Sequence, residues 1–322
     1  MKMLILGGTA LLGRATAGEA AALGHDVTCL ARGSSAPPDG VEFVQADRDL
    51  EDGLARVAAT PWDAVIDVSR QPGHVRRAVR DLTTPHWVFV SSGNVYSDFS
   101  TVDQDEDAEL LPPLDGDVME SMESYGPAKV ACEDAVRGSR SSWTIVRSGL
   151  IGGPGDTSGR TGYWPWRFAH PTGIDVIAPD QLDFPCAIID VRDLAAWIVH
   201  CAEKRVQGTY NATGPTVTLE LVLATSAAVA RSDATVRPVS VARLHELGVQ
   251  GWMGPMSLPL WINDPDWRGF ATMSSERARR EGLRTRPLEE TLADTLTYED
   301  AREDTRQAGL TDDEERRVRD AL

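Results

Sequence analysis

A glycine-rich turn placed directly after the first apolar run constrains the fold of this sequence more than any other feature. Met3-Leu4-Ile5-Leu6 has the apolar continuity of a buried strand and leads straight into Gly7-Gly8-Thr9-Ala10-Leu11-Leu12-Gly13. Gly7 permits a tight turn, and Gly13 lets the strand and the following helix approach closely. The N-terminus of such a helix offers free N–H groups to an anion. The sequence therefore predicts a turn that binds the pyrophosphate of a dinucleotide, the alternative being an ordinary turn without a ligand.

Short apolar runs alternate with helical patterns through the first half of the chain. Continuous apolar strands separated by helices are typical of a parallel sheet covered on both faces. The predicted strands are residues 3–6, 27–30, 41–44, 64–68, 87–90 and 143–146, and the predicted helices are 11–23, a stretch ending near 59, 74–82 and 126–138. We therefore expect an α/β fold with a doubly wound parallel sheet.

The alternation stops after about residue 152. Residues 152–186 are rich in glycine, proline and aromatic side chains, which indicates irregular structure beside a site. A strand and a helix resume at 187–203, and the highly charged residues 299–322 predict a solvated terminal helix. We expect a dinucleotide-binding domain from residues 1–155 and 186–215, and a smaller, mixed C-terminal substrate lobe from residues 156–185 and 216–322.

The acidic composition argues against two classes of partner. The 322 residues include 49 acidic and 32 basic side chains, which gives a formal net charge of −17. Nucleic acids and anionic membranes both attract basic surfaces, so we expect neither as a partner. No apolar run approaches the roughly 18 residues that span a bilayer. A small-molecule substrate is the expected ligand.

Cysteine and histidine usage indicates neither a disulfide framework nor a metal site. The four cysteines and six histidines are scattered, without the short spacings that such sites need. The apolar N-terminus is interrupted by glycines, so we interpret it as a buried strand rather than a signal peptide. We expect a reducing, cytoplasmic setting.

The end of the second predicted strand bears on the choice of cofactor. A carboxylate there would bind the ribose hydroxyls of NAD, but the chain has Arg32, which suits a 2′-phosphate. We therefore favour NADP(H) over NAD(H). Asp47 is placed either to accept a hydrogen bond from the adenine amino group or to cap a helix. Further expected cofactor contacts, near the ends of strands, are Arg48, Val68 and Ser91.

Three side chains predict a catalytic site. Tyr125 and Lys129 are four residues apart on one helix face, and an ammonium beside a phenol stabilises the phenolate for proton transfer. Ser92 ends the fifth strand, at the sheet edge where open α/β sheets place ligands. Taken singly, each feature has an explanation without function: YxxxK strings arise by coincidence, and a serine at the end of a strand is often a helix cap. Their order along the chain is the stronger signal.

These motifs together resemble the extended short-chain dehydrogenase/reductase superfamily, specifically the NAD-dependent epimerase/dehydratase family. The resemblance spans roughly residues 1–215 and is carried by the glycine turn and by SSGNVY at 91–96, YGPAK at 125–129, RSG at 147–149, GP at 153–154 and IDVRDLA at 189–195. It implies a Rossmann-type fold and a possible homodimer. It also implies that Tyr125 is the general acid/base, that Lys129 binds the nicotinamide ribose, and that Ser92 holds the substrate oxygen during hydride transfer.

Two departures from that family narrow the reaction. Family members that dehydrate nucleotide sugars carry an Asp-Glu pair where this chain has Gly93 and Asn94, so a dehydratase is not expected. Nucleotide-sugar epimerases usually carry a diphosphate-binding arginine where this chain has Cys186, and a thiol cannot supply its donors. Other arginines could substitute, so the epimerase remains an alternative.

The region after residue 155 holds the expected substrate contacts. Large aromatics beside a cofactor favour an apolar or planar substrate, although such residues also pack lobes together. We expect substrate contacts at Ser92, Asn94, Arg160, Tyr163, Trp164, Trp166 and Arg167, with Trp252 and Trp261 as contributors. Residues 98–117 are acid-rich without matching cations nearby, which predicts a solvated loop or, alternatively, a lid.

The sequence leaves three functions open. The first is an NAD(P)H-dependent reductase of a small carbonyl or imine compound, favoured by the Ser92, Tyr125 and Lys129 set. The second is an NAD-dependent nucleotide-sugar epimerase, favoured by the family resemblance. The third is a non-catalytic RNA-binding protein like the atypical members that share the GGTxxxG opening, which the acidic charge and the complete catalytic set oppose.

Overall fold

Seven parallel strands form the central sheet of the computed structural model, which describes all residues from 1 to 322. The strands of the chain are β1 (Lys2–Leu6), β2 (Asp26–Ala31), β3 (Glu42–Gln45), β4 (Ala64–Asp67), β5 (His86–Ser92), β6 (Ser142–Ser148), β7 (Leu150–Gly152), β8 (Asp175–Pro179), β9 (Pro185–Asp190), β10 (Gly208–Ala212), β11 (Thr216–Thr218), β12 (Thr235–Val239), β13 (Gln250–Gly251) and β14 (Ser257–Leu258). The sheet order is β10-β6-β5-β4-β1-β2-β3. The order reverses between β1 and β4, where doubly wound sheets bind ligands at the carboxyl ends of their strands. The predicted fold class is confirmed.

Helices cover both faces of this sheet. They are α1 (Leu11–Ala22), α2 (Ala55–Ala58), α3 (Pro72–Asp81), α4 (Tyr125–Arg137), α5 (Tyr163–Ala169), α6 (Val191–Lys204), α7 (Leu219–Ala230), α8 (Val241–Glu246), α9 (Glu276–Arg280), α10 (Leu288–Ala301) and α11 (Asp312–Ala321). One face buries a cluster of 25 residues that α1 and α6 share with the sheet, and the other buries a cluster of 16 residues. Burial on both faces explains why the strands are apolar throughout.

A separate core lies outside the central sheet. Its 22 buried residues come from α5, α7, α8, α10 and α11, and from the short strands and connecting segments beside them. The strands β7 and β9 pair in parallel and connect the two regions of the fold. Ala278 and Leu283 nevertheless pack in the core of the sheet, so the chain returns to the first region after residue 216.

Two helix predictions are wrong in extent. Residues 47–54 form turns, and only the four residues of α2 are helical in the stretch expected to reach 59. The charged segment 299–322 is no single solvated helix, because α10 ends at Ala301 and α11 begins at Asp312. Glu299 is 3% exposed and Glu315 is fully buried, and arginines neutralise both carboxylates.

The acid-rich stretch 98–117 forms ion pairs that its local sequence does not predict. Arg277, from α9, lies within 3.2 Å of carboxylate oxygens of Asp105, Glu106 and Asp107. Glu106 is only 8% exposed and accepts a hydrogen bond from the N–H of Asn211 at 2.7 Å. The expectation of a freely solvated loop is therefore wrong for this part of the stretch, since its partner is 170 residues away.

Three further features concern the helices, the cysteines and possible metal ligands. None of the helices combines the length and the apolar composition that crossing a bilayer requires. All four cysteines are buried free thiols. No group of three or more histidine, cysteine, aspartate or glutamate side chains is arranged to bind a metal ion.

Candidate active site

The glycine turn after β1 has the shape that the sequence predicts. Gly7 has φ of +94°, which favours glycine, and its N–H donates to the carbonyl of Leu30 at 2.9 Å. A Cβ on Gly13 would overlap the carbonyl oxygen of Gly7, so the helix approaches the strand only because this residue has no side chain. Helix α1 has no side-chain cap and no acidic residue in its first turn. Its N-terminal N–H groups and positive dipole end therefore suit the phosphates of a dinucleotide.

Several expected cofactor residues surround this turn. Val68, directly after β4, lies so close to Gly7 that a Cβ there would meet its Cγ2 at 2.6 Å. Thr9 is buried and Ala10 is exposed. Gly155, on the loop after β7, faces the side chain of Leu11. That loop therefore lies beside the glycine turn and can cover a ligand bound there. The side chain of Leu12 points into the core instead, with 8% of the residue exposed.

The residues expected to bind the adenosine part of the cofactor differ in whether their side chains already have partners within the chain. Arg32 is exposed, and its guanidinium makes no hydrogen bond or ion pair. Asp47 accepts the N–H of Asp49 at 3.0 Å, which makes it the cap of a turn and not of a helix. Arg48 is buried, and its guanidinium donates to both carboxylate oxygens of Asp67 at 2.9 and 2.7 Å. Arg48 therefore braces the carboxyl end of β4, and its charge is not available to a phosphate.

The serines that end β5 have different environments. Ser91 is buried, and its hydroxyl has no hydrogen-bond partner. Ser92 donates to the side-chain oxygen of Asn94 at 2.9 Å and accepts the N–H of Asn94 at 3.2 Å. Ser92 thus caps the short 3₁₀ turn that follows β5. Its hydroxyl hydrogen must turn away from Asn94 to reach a substrate oxygen.

Tyr125 and Lys129 reach the same edge of the sheet from α4. Gly126 packs against the backbone of Asn94 so closely that a Cβ would overlap its carbonyl oxygen, which places Tyr125 beside the Ser92 turn. Tyr125 is half-buried, and its hydroxyl makes no hydrogen bond within the chain. The ammonium of Lys129 donates to the carbonyls of Ser69 and Val90, both at 2.7 Å. One of its three N–H bonds is left for a ligand.

Arg160 lies on the loop after β7 and is half-buried. Burial lowers the pKa of the Arg160 guanidinium, and the negative charges that Asp156 and Tyr125 can carry oppose this shift. The guanidinium lies over the ring of Trp252, with 5.0 Å to the centroid, and its Nε donates to Ser158 at 3.1 Å. It forms no ion pair, unlike the buried Arg147 and Arg167.

An aromatic pocket continues from Trp252 towards the Ser92 turn. Phe270 meets Trp252 edge to face at 6.0 Å between centroids, and both Phe270 and Met273 pack against Gly93. The pocket is narrow, with room for about one water molecule, and it opens to solvent. Its lining is almost entirely apolar: Leu150, Phe184, Pro185, Cys186, Ala187, Trp252, Leu260, Ile262, Trp267, Phe270 and Ala271.

Most of the aromatic and basic residues expected to contact substrate lie instead in the core outside the central sheet. Tyr163, Trp164 and Arg167 are fully buried, so the expectation that they contact substrate is wrong. Trp166 is half-buried between the guanidinium groups of Arg306 and Arg167, at 3.4 and 4.8 Å. These residues pack the lobe and hold α11, which was the alternative interpretation. Trp261 is fully buried too, and of these aromatic and basic residues only Arg160 and Trp252 lie at the site.

Sequence reasoning missed Phe270, Met273, Trp267 and Phe99. Trp267 and Phe270 lie three residues apart in a 3₁₀ helix at Pro265–Thr272, a spacing that puts them on one side. That spacing is the only local signal. Phe99 stacks on Trp267 at 4.6 Å from a segment 168 residues earlier, and no local pattern connects the two.

Comparison with known proteins bears on the family. Residues 3–86 match the model of the NAD dependent epimerase/dehydratase family. This match agrees with the family resemblance of the glycine turn that lies within it. No curated protein sequence matches the chain.

Solved structures share the fold over nearly the whole chain. A protein from Burkholderia cenocepacia J2315, provisionally named an epimerase, is 21% identical with a TM-score of 0.70, and the match covers 94% of this chain and 98% of that chain. UDP-N-acetylglucosamine 4-epimerase from Bacillus cereus is 15% identical with a TM-score of 0.68, covering 96% and 100%. UDP-glucose 4-epimerase from Thermus thermophilus, solved with NAD, is 17% identical with a TM-score of 0.66, covering 94% and 99%. These likenesses show that the fold is shared over nearly the whole chain.

Proposed function

We propose that this chain is an NAD(P)H-dependent reductase that adds a hydride to the carbonyl or imine carbon of a small substrate without a nucleotide. One observation carries the proposal. Tyr125 and Lys129 meet the Ser92 turn at the carboxyl edge of the sheet, and an apolar pocket opens beside that turn. A site of this kind suits proton and hydride transfer to a compact, partly apolar molecule.

The side chains of the site have separable roles in this reaction. When bound, the reduced nicotinamide supplies the hydride. Lys129 is fixed by two backbone carbonyls and offers its third N–H to a ribose hydroxyl. Tyr125, whose hydroxyl has no partner in the chain, gives its proton to the substrate oxygen or nitrogen. Ser92 turns its hydroxyl from Asn94 to donate to the same atom.

The pocket supports a substrate that is not a nucleotide sugar. Cys186, at the position where the resemblance places a diphosphate-binding arginine, lies among apolar side chains, and burial raises the pKa of its thiol to about 12. A neutral thiol in an apolar wall offers a diphosphate no charge-assisted hydrogen bond. The epimerase stays the second candidate because the similar structures from Bacillus cereus and Thermus thermophilus are named as UDP-sugar epimerases.

The glycine turn and Lys129 support a nicotinamide dinucleotide as the cofactor, and Arg32 supports a 2′-phosphate on it. Arg32 is an exposed cation without a partner at the end of β2, which favours NADP(H). Structures similar in fold were solved with NAD, which favours the unphosphorylated cofactor. Direct comparison of NADPH and NADH binding separates the two.

Fluorescence transfer from tryptophan to the reduced nicotinamide tests the proposal. The purified chain is titrated with NADPH and with NADH, and we expect saturable transfer with at least one of them. If neither binds, the reductase is refuted. Protein that already carries NAD⁺ when purified and interconverts UDP-sugars without added cofactor is instead the epimerase.

A further inference from the structure

Arg160 is a half-buried cation without a carboxylate partner. Arg147 and Arg167 are buried beside aromatic rings, and each lies within 3.2 Å of a buried glutamate. Arg160 also lies on an aromatic ring, yet its only side-chain hydrogen bond is to the neutral hydroxyl of Ser158. Removing a charge from water without a partner is unfavourable, so such a position is typical of a cation that awaits an anionic ligand.

The surroundings of Arg160 define the shape of that ligand. Its guanidinium lies on the ring of Trp252, which lines the aromatic pocket, and Phe270 of that pocket packs against Gly93 in the Ser92 turn. A molecule that contacts Arg160 and Trp252 has an anionic group and an apolar body. The planar guanidinium of Arg160 matches a carboxylate with two parallel hydrogen bonds.

A monoanion fits better than a phosphate. The other nearby cation, Lys129, already donates to two backbone carbonyls and has only 3% of its surface exposed. Arg48 is committed to Asp67. A phosphate ester carries close to two negative charges, whereas Arg160 alone supplies a single positive charge.

We propose that the substrate is an oxo acid whose carboxylate binds Arg160 and whose apolar body lies against Trp252. This inference rests on the proposed reductase function and adds the substrate class. In the reaction the π bond of the carbonyl and a C–H bond of the reduced nicotinamide break, while a C–H bond forms at the carbonyl carbon and an O–H bond at its oxygen. One reduced nicotinamide and one proton are consumed, and a hydroxy acid and the oxidised nicotinamide are released.

Binding of unreactive acids tests the role of Arg160 without turnover. The probes are the carboxylic acids from acetate to 4-phenylbutyrate, each compared with its own primary amide, in titrations of the protein saturated with NADP⁺ or NAD⁺. Quenching of tryptophan fluorescence and calorimetry report the dissociation constants. We expect at least one aryl-substituted acid to bind ten-fold or more tightly than its amide.

Variants assign that preference to one side chain. We expect Arg160→Gln to weaken the acid at least ten-fold and leave the amide unchanged, and Arg160→Lys to keep part of the preference. Arg140→Gln, at an exposed arginine without an ion pair, is the matched control and keeps the wild-type constants. Equal binding of acid and amide across the series, or an Arg160→Gln protein that still prefers the acid, would overturn the proposal.

Turnover separates this inference from the function on which it rests. Phenylpyruvate and its methyl ester are offered with NADPH or NADH, and oxidation of the nicotinamide is followed by absorbance. We expect a kcat/KM at least ten-fold higher for the acid, and a difference that disappears in Arg160→Gln. Reduction of the ester alone leaves the reductase standing and refutes the oxo acid. Acid binding at Arg160 without any binding of nicotinamide refutes the reductase and leaves the anion site standing.

Discussion

Lys129 shows how one residue is fixed before any ligand arrives. Its ammonium is held between the carbonyls of Ser69 and Val90, and it lies 4.9 Å from the ring centroid of Phe89. These contacts come from the ends of β4 and β5, so the sheet itself sets the position. A preorganised cation of this kind loses little free energy when it binds a ribose.

Tyr125→Phe is the sharpest test of the proton donor. The ring and its packing remain, so we expect the dissociation constant for the nicotinamide cofactor to change less than three-fold. Loss of the hydroxyl removes proton transfer, which contributes about 10²- to 10⁴-fold, so kcat should fall by at least ~100-fold. Single-turnover absorbance measurements check the rate, and near wild-type activity in the variant would remove Tyr125 from the mechanism.

Arg32→Ala tests the proposed 2′-phosphate contact. A hydrogen bond to a charged group contributes about 1.5–3 kcal/mol, so affinity for NADPH should fall at least ~10-fold. Affinity for NADH should stay the same, because NADH lacks the phosphate. Titration of both cofactors against wild type and variant gives the result. An equal loss for both, or no loss for either, would contradict this role.

At the scale of elements, glycine turns and arginine clamps position the functional segments. Gly126 lets α4 rest on the backbone of Asn94, which carries Tyr125 to the Ser92 turn. Arg167 plays the corresponding part in the core outside the central sheet. Its guanidinium contacts Asp312 at 2.8 Å and Glu315 at 3.2 Å, and it donates to the carbonyl of Leu310 at 2.7 Å. Helix α11 is thereby tied to α5.

Arg167→Gln should destabilise the molecule strongly. Glu315 is fully buried, and removing the arginine leaves its charge without its closest cation. Breaking a buried pair on one side costs about 3–5 kcal/mol, so the free energy of unfolding in urea should fall by that amount. Arg316→Gln, at an exposed position of α11, is the control and should change the free energy of unfolding by less than ~1 kcal/mol.

The strands and helices that follow local rules could be predicted from the sequence. The apolar runs located β1 to β6, and the Tyr125 helix begins where the proline at 127 allows it. The stretch after β3 could not be predicted in the same way. Its helical pattern is overridden by Asp47, which caps a turn through the N–H of Asp49. Propensity is weak where a side chain offers the backbone another hydrogen bond.

At the scale of the whole molecule, the site is predictable only where it depends on one segment. Ser92, Tyr125 and Lys129 stand in motifs with local order. The aromatic pocket combines residues from 150 to 271, and the cation of the 98–117 stretch comes from α9. Residues Tyr163 to Arg167 suggested a binding site from the sequence, because aromatic and cationic side chains occur in binding sites. The same residue types also occur in buried cores, which is where Tyr163, Trp164 and Arg167 lie. Only the three-dimensional contacts separate the two.

The global stability should depend on pH through His86. Burial lowers the pKa of His86 to about 4 from the ordinary value of 6.5, and the charge of Arg205 adds to the shift. The folded state therefore binds this proton less readily than the unfolded state, so its contribution is complete above pH 6.5 and is lost as the pH falls towards 4. The full difference is about 3 kcal/mol.

His86→Gln should flatten this part of the pH dependence. The amide cannot titrate, so the free energy of unfolding should fall less steeply between pH 6.5 and pH 4 than in the wild type. Urea unfolding at half-unit pH steps measures both slopes, and His245→Gln, at an exposed position, serves as the comparison. Parallel slopes for His86→Gln and wild type would show that His86 titrates alike in both states.

The aromatic pocket and the proposed catalytic set come from different parts of the chain. Ser92 and Lys129 are anchored by the central sheet, whereas Trp252, Trp267 and Phe270 lie on irregular segments that pair with no strand of that sheet. Substitutions at the half-buried Trp252 and Trp267 can therefore accumulate without disturbing the groups that handle protons. Libraries confined to these two positions should yield new substrate preferences while the shared chemistry persists.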